Sequence, residues 1–252
     1  MPQPEKQRVV TRERFDAVLL DLDGVITDTA GIHAACWKQM FDEYLQNRAM
    51  QRGEAFRSFD VAADYRLYVD GKPRFDGVRD FLASRDIHLP EGSLDDPLQA
   101  ETVCGLGNRK NDLVNKIIED GGVEPYEGSV KLLHQLRSQG FKLAIVTSSQ
   151  NCTAVLKAVK LDHFFDVQVD GNVIHAQHLT GKPAPDTFLM AAKLLGVEPK
   201  RAVVVEDALS GVEAGSAGSF GLVIGVARKG NAEELRHLGA HLVVNDLGEL
   251  VN

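Results

Sequence analysis

The apolar run Ala17-Val18-Leu19-Leu20 leads directly into Asp21-Leu22-Asp23-Gly24. A short, continuous apolar run of this kind reads as a buried strand. Alternate strand side chains share a face, so Asp21 and Asp23 project together where the strand ends while Leu22 points away. Gly24 lets the chain turn sharply. After Asp28-Thr29-Ala30-Gly31 the period changes. Ile32, Ala35, Cys36, Met40 and Phe41 recur at helical spacing, which predicts a helix from Ile32 to about Tyr44. From there to about Val123 strand-like runs are absent. Helical pieces alternate with breaks at Gly71-Lys72-Pro73 and Leu89-Pro90-Glu91-Gly92, and Asn108–Glu119 carries Leu113, Val114, Ile117 and Ile118 on one face.

From Tyr126 onward strands and helices alternate. Helices are predicted over Ser129–Ser138 (closed by Gly140), Cys152–Val159, Pro185–Leu195 (closed by Gly196), Leu209–Ala217 and Ala232–Leu238. Strands are predicted over Lys142–Val146, Val167–Val169, Ala202–Val205, Gly221–Val226 and His241–Val244. This alternation implies an α/β fold, a doubly wound parallel sheet with a Rossmann-like core. The expected organisation is a polar, partly disordered leader over 1–14, a core domain over 15–30 and 125–252, and an inserted helical domain over 31–124.

Composition narrows the function. The chain has 252 residues, 44% of them hydrophobic and 25% charged, with a formal net charge of −8. These are ordinary values for a globular protein. No basic block is present, which argues against a nucleic-acid partner. Three widely spaced cysteines, Cys36, Cys104 and Cys152, form neither a disulfide framework nor a zinc pattern. They read as inert packing residues in a reducing compartment, and Trp37 as packing in the core of the helical insertion or at its hinge. No apolar run reaches membrane-spanning length and the leader lacks an apolar signal core, so no membrane partner is expected and the location expected is cytoplasmic. A monomer is expected.

Three predicted strands end in polar or acidic residues: Asp21-Leu22-Asp23, Thr147-Ser148-Ser149 and Glu206-Asp207. In a parallel sheet these ends share one edge, where ligands of such folds bind. Lys182 lies on the loop between the last two, in Gly181-Lys182-Pro183-Ala184-Pro185-Asp186, which its prolines stiffen. Buried carboxylates need compensation by a metal, a lysine or both. Carboxylate ligands suit Mg²⁺, and a lysine with a hydroxyl suits phosphoryl oxygens. Singly, each segment has an ordinary reading, as solvated strand-end acids or as helix caps. Together they point to phosphoryl transfer.

In this order the segments resemble those of the haloacid dehalogenase superfamily of phosphotransferases, from roughly Phe15 to the C-terminus. Asp21–Ala30 (DLDGVITDTA), Arg109–Asp112 (RKND), Lys182–Asp186 (KPAPD) and Glu206-Asp207 are similar to those of its beta-phosphoglucomutase-like family. The resemblance implies a mobile cap made from the helical insertion and a phosphorylated sugar as substrate. It also implies Asp21 as nucleophile, Asp23 as general acid/base, and Thr147 and Lys182 as phosphoryl clamps. Mg²⁺ would be held by Asp21, the Asp23 carbonyl and Asp207, with Glu206 nearby or through water. Thr29, His33, Arg74, Lys110, Asn111, Ser148, Ser149 and Asn151 would surround the substrate. The activity implied interconverts beta-D-glucose 1-phosphate and glucose 6-phosphate through an aspartyl-phosphate and glucose 1,6-bisphosphate. Two expected lysines are replaced: Asp70 precedes Gly71 and Gln150 follows Ser149. These changes favour the alternative, a sugar-phosphate or other small-molecule phosphatase with the same nucleophile. A non-catalytic interaction domain would be expected to lack the nucleophile, the acid/base or the lysine, and all three are present.

Overall fold

The computed structural model describes residues 9–228 and 230–251. The expected leader therefore lies outside the described residues over 1–8, and its remainder forms bends and turns. The described chain divides into two compact units. One runs to Asp28 and resumes at Val123, and the other is Thr29–Gly122.

The Thr29–Gly122 unit is helical. Helix α1 (Ala30–Arg52) continues well past Tyr44, because Leu45 and Ala49 extend its buried face. It ends at Gly53, whose left-handed φ of 65° lets its N–H reach the Ala49 carbonyl. A single π-helical turn (Tyr65–Val69) precedes α2 (Arg74–Ser84), which starts directly after Pro73. Helix α3 (Val103–Glu119) begins before Asn108, where Thr102 accepts the Gly105 N–H at 2.9 Å. The three helices enclose an aromatic core. Phe41 lies 5.3 Å from Trp37, 5.2 Å from Phe59 and 4.1 Å from Phe81 between ring centroids. Arg85 and Asp64 form a largely buried ion pair at 2.6 Å beside it.

The other unit is a six-stranded sheet built from β1 (Ala17–Leu20), β2 (Lys142–Val146), β3 (Val167–Val169), β4 (Ala202–Glu206), β5 (Leu222–Val226) and β6 (Leu242–Val244). Its order is β3-β2-β1-β4-β5-β6, and every neighbouring pair is parallel. The crossovers are α4 (Glu127–Ser138), α5 (Cys152–Ala158), α6 (Gly171–Ala176), α7 (Asp186–Leu195), α8 (Leu209–Ala217) and α9 (Ala232–His237). Parallel sheets are covered on both faces, and β1, β4 and β5 are accordingly buried at every position. Phe188, Ala191 and Leu195 of α7 join Leu19, Ala144 and Val204 in the core. The short α6 is set by Asp170, whose carboxylate accepts the N–H groups of Asn172 and Val173 at 3.0 Å each.

Candidate active site

Strand register brings the polar strand ends to one edge. Leu20 at the end of β1 pairs with Ile145 of β2 and Val205 of β4. Asp21 and Thr147, one residue past their strands, and Glu206, the last residue of β4, therefore emerge together at this edge of the buried sheet. The Asp21 N–H still donates to the Val205 carbonyl at 3.0 Å, and the Thr147 N–H to that of Val169 at 3.0 Å.

Lys182 enters this edge from the loop before α7. Its ammonium donates to Asp21 Oδ1 at 2.6 Å, to Glu206 Oε1 at 2.6 Å and to the Val146 carbonyl at 3.0 Å. These three bonds use all the hydrogens a lysine offers. All three side chains are buried. Burial works against the Lys182 ammonium, but the carboxylates of Asp21 and Glu206 outweigh it and hold its pKa above the ordinary lysine value. Burial pushes the Asp21 carboxyl above its ordinary value. Lys182 opposes this shift, while Glu206, Asp23 and Asp207 reinforce it.

The carboxylate oxygens of Asp21, Glu206 and Asp207 all lie within 4.8 Å of one another. Three acids meeting one ammonium leave the cluster negative, and hard oxygen donors at this spacing fit a hard divalent cation. Backbone shape helps to assemble the set. Gly24 has a φ of 87°, and its Cα sits so close to Asp207 that an added Cβ would fall on the carboxylate. Glu206 is tied down on both sides, since its second oxygen accepts the Ala208 N–H at 2.9 Å.

Asp23 stands two residues on, in a turn held by the Gly24 N–H to the Thr27 carbonyl at 2.8 Å and by Thr27 Oγ1 to the Leu22 carbonyl at 3.2 Å. Thr147 Oγ1 reaches Asp23 Oδ2 at 3.5 Å and accepts the Ser149 N–H at 3.1 Å. Ser149 Oγ accepts the Asn151 N–H at 3.2 Å, so the loop that carries Ser148, between Thr147 and Ser149, is internally braced.

The remaining expected residues, Thr29, His33, Arg74, Lys110 and Asn111, belong to the helical unit. There Lys110 is buried, with its ammonium 2.8 Å from His33 Nδ1 and above the Trp37 ring. Arg74 lies over the Phe75 ring and donates to Asn108 Oδ1 at 3.3 Å, and burial lowers its pKa to about 10. The sequence pattern gave no prominence to Arg228 and Asn231, which follow β5 at the same sheet edge. Arg228 donates to the Gly24 carbonyl at 2.7 Å, and Asn231 to that of Asp207 at 3.4 Å. The available signal was that the Gly221–Val226 run, too, ends at that edge.

A model of the haloacid dehalogenase-like hydrolase family matches residues 15–218. The chain belongs to this family. A beta-phosphoglucomutase of Mycobacterium bovis is 53% identical over 242 residues, which cover 95% of this chain and 92% of that protein. A fructose-1-phosphate phosphatase of Escherichia coli is 30% identical over 215 residues, covering 84% of this chain and 96% of that one. Among solved structures, a beta-phosphoglucomutase of Clostridium difficile superposes with a TM-score of 0.72 at 25% identity, covering 94% of this chain and 93% of the other. For this family member, the acids, the lysine and the hydroxyl named above lie on the parallel-sheet scaffold. No helix among the described residues is long and apolar enough to cross a membrane.

Proposed function

We propose that this protein is a Mg²⁺-dependent beta-phosphoglucomutase, interconverting beta-D-glucose 1-phosphate and glucose 6-phosphate. The observation that carries this reading is the 53% identity, over 95% of the chain, to a protein of that name. The likeness spans both units, so it includes the inserted helices as well as the sheet edge.

The chemistry follows from the residues at that edge. The Asp21 carboxylate attacks phosphorus, and the bond from phosphorus to the sugar oxygen breaks as Asp23 gives that oxygen a proton. In the reverse sense a sugar hydroxyl yields its proton to Asp23 and takes the phosphoryl group from phospho-Asp21. Transfer to the 6-hydroxyl of glucose 1-phosphate gives the 1,6-bisphosphate. The bisphosphate then returns its 1-phosphoryl group to Asp21 from the turned-over orientation and leaves as glucose 6-phosphate. Lys182 orients the Asp21 carboxylate and offsets the charge that arrives with the substrate, and Thr147 helps to hold the transferred group. Asp21, Asp207 and the Asp23 carbonyl would hold Mg²⁺, with Glu206 nearby or through water, and the ion would supply further charge neutralisation. Thr29, His33, Arg74, Lys110, Asn111, Ser148, Ser149 and Asn151 are the proposed sugar and distal-phosphate contacts. The sheet unit would then be the catalytic core and the helical unit a cap that excludes water. Three buried, free cysteines accord with a reducing, cytoplasmic setting. A monomer is the proposed assembly.

A second reading has its own support. Asp70 and Gln150 stand where the resemblance leads to lysines in the substrate surroundings, and a phosphatase is among the relatives. In that case water takes the place of the sugar hydroxyl. The deciding assay supplies beta-glucose 1-phosphate, Mg²⁺ and a trace of glucose 1,6-bisphosphate, and measures glucose 6-phosphate and free phosphate together. Glucose 6-phosphate without matching phosphate release supports the mutase. Free phosphate as the main product would replace it with the phosphatase.

A further inference from the structure

Arg228 lies outside the acid and lysine cluster but grips its first turn. It follows β5, with its side chain 15% exposed. Its Nε donates to the Gly24 carbonyl at 2.7 Å and its Nη1 to Asp246 Oδ2 at 2.9 Å. The guanidinium also lies 3.4 Å from the centroid of the Tyr126 ring. Stacking of this kind and a forked donor are properties of arginine that lysine does not share.

Each partner leads to the same small region. Gly24 closes the turn that carries Asp23 and abuts Asp207. Tyr126 lies where the chain returns to the sheet unit. Its N–H donates to the Ile26 carbonyl at 2.9 Å and its hydroxyl to Asp28 Oδ1 at 2.7 Å. Thr27 and Pro125 form a bridge between the outgoing and returning segments, and the Asp28 N–H donates to the Glu124 carbonyl at 2.9 Å. One guanidinium thus touches the outgoing turn and the returning segment together. Catalysis is sensitive to such placement, because an acid about 1 Å out of position can cost about a hundredfold in rate.

We propose that Arg228 is a positioning residue, holding the Gly24 carbonyl and the Tyr126 ring so that Asp23 stays aligned to protonate the leaving oxygen. The inference rests on the reading of Asp21 and Asp23 given above, but not on the identity of the sugar. A misplaced acid harms esters whose leaving group must be protonated. It spares those whose leaving group departs as a stable anion.

The test compares the full-length protein with Arg228→Ala and Arg228→Lys, all with Mg²⁺, on two generic substrates. Glycerol 2-phosphate needs a proton on its leaving oxygen, and p-nitrophenyl phosphate does not. For Arg228→Ala, kcat/KM on glycerol 2-phosphate should fall about a hundredfold, and on p-nitrophenyl phosphate by less than about fivefold. Arg228→Lys should fall between wild type and Arg228→Ala and covers the case in which the alanine variant does not fold. A loss by the same factor on both substrates, in whichever variant folds, marks a structural role and overturns the proposal, as does no loss. The sugar reading is tested separately. A wild-type protein that cleaves both generic esters but leaves glucose 1-phosphate unchanged would refute that reading and leave the Arg228 comparison intact.

Discussion

Lys182 decides the charge balance of the site. It offsets two buried carboxylates and uses its third hydrogen on a strand carbonyl. Lys182→Met would leave Asp21 and Glu206 facing each other without compensation, and breaking a buried pair in this way costs about 3–5 kcal/mol. Urea unfolding should show that loss, and turnover should vanish with it. The lysine's folded pKa lies above its unfolded value, so its contribution is complete below the unfolded value and is lost as pH rises through the raised one. Stability measured between about pH 6 and pH 9 should therefore show no loss from this group, since an ordinary lysine titrates near 10.4. Asp21→Asn poses the complementary question. The substitution keeps the shape and leaves Lys182 paired with Glu206, so the thermal midpoint should stay close to that of wild type while turnover is abolished. Retained turnover in a folded Asp21→Asn protein would remove Asp21 as the nucleophile.

At the level of elements, the site depends on how closely helices approach strand ends. Helix α8 lies against the end of β4 because Gly211 has no side chain, and a Cβ there would fall on the Glu206 carboxylate. Glu206 cannot yield easily, since Lys182 and the Ala208 N–H hold its two oxygens. Gly211→Ala should cost about 1–3 kcal/mol by overpacking, read in thermal unfolding, and should lower kcat more than it raises KM. The elements that carry the site were the legible ones. Ala17–Leu20, Lys142–Val146 and Ala202–Glu206 are apolar runs ending in polar residues, and parallel register does the rest. Helix α2 was harder to read. Val78, Phe81 and Leu82 give it a buried face, but it follows directly on the Gly71-Lys72-Pro73 break. Helix α1 outran its expected end because Leu45 and Ala49 continue the stripe among charged neighbours. The end of the Gly221–Val226 run could place Arg228 at the sheet edge, but its grip on Gly24, 204 positions away, had no signal in the local pattern.

The molecule as a whole is a sheet unit interrupted by a helical one, and its chemistry is divided unequally between them. The acidic triad and Lys182 belong to the sheet unit, while the aromatic core of Trp37, Phe41, Phe59 and Phe81 belongs to the helical one. A chain built this way need not unfold in a single step. A cation that binds only the folded triad stabilises the unit that contains it. At a Mg²⁺ concentration of about 100 times the dissociation constant that stabilisation is about 2.7 kcal/mol. Calorimetry in Mg²⁺ against EDTA should therefore raise the transition of the sheet unit and leave that of the helical unit in place. Asp207→Asn should abolish the shift, because it removes one of the three carboxylates without altering side-chain volume. An unchanged scan at saturating Mg²⁺ would mean that the triad does not hold the ion, and that Lys182 alone compensates Asp21 and Glu206. A shift that survives Asp207→Asn would place the cation elsewhere and remove Asp207 from the metal set.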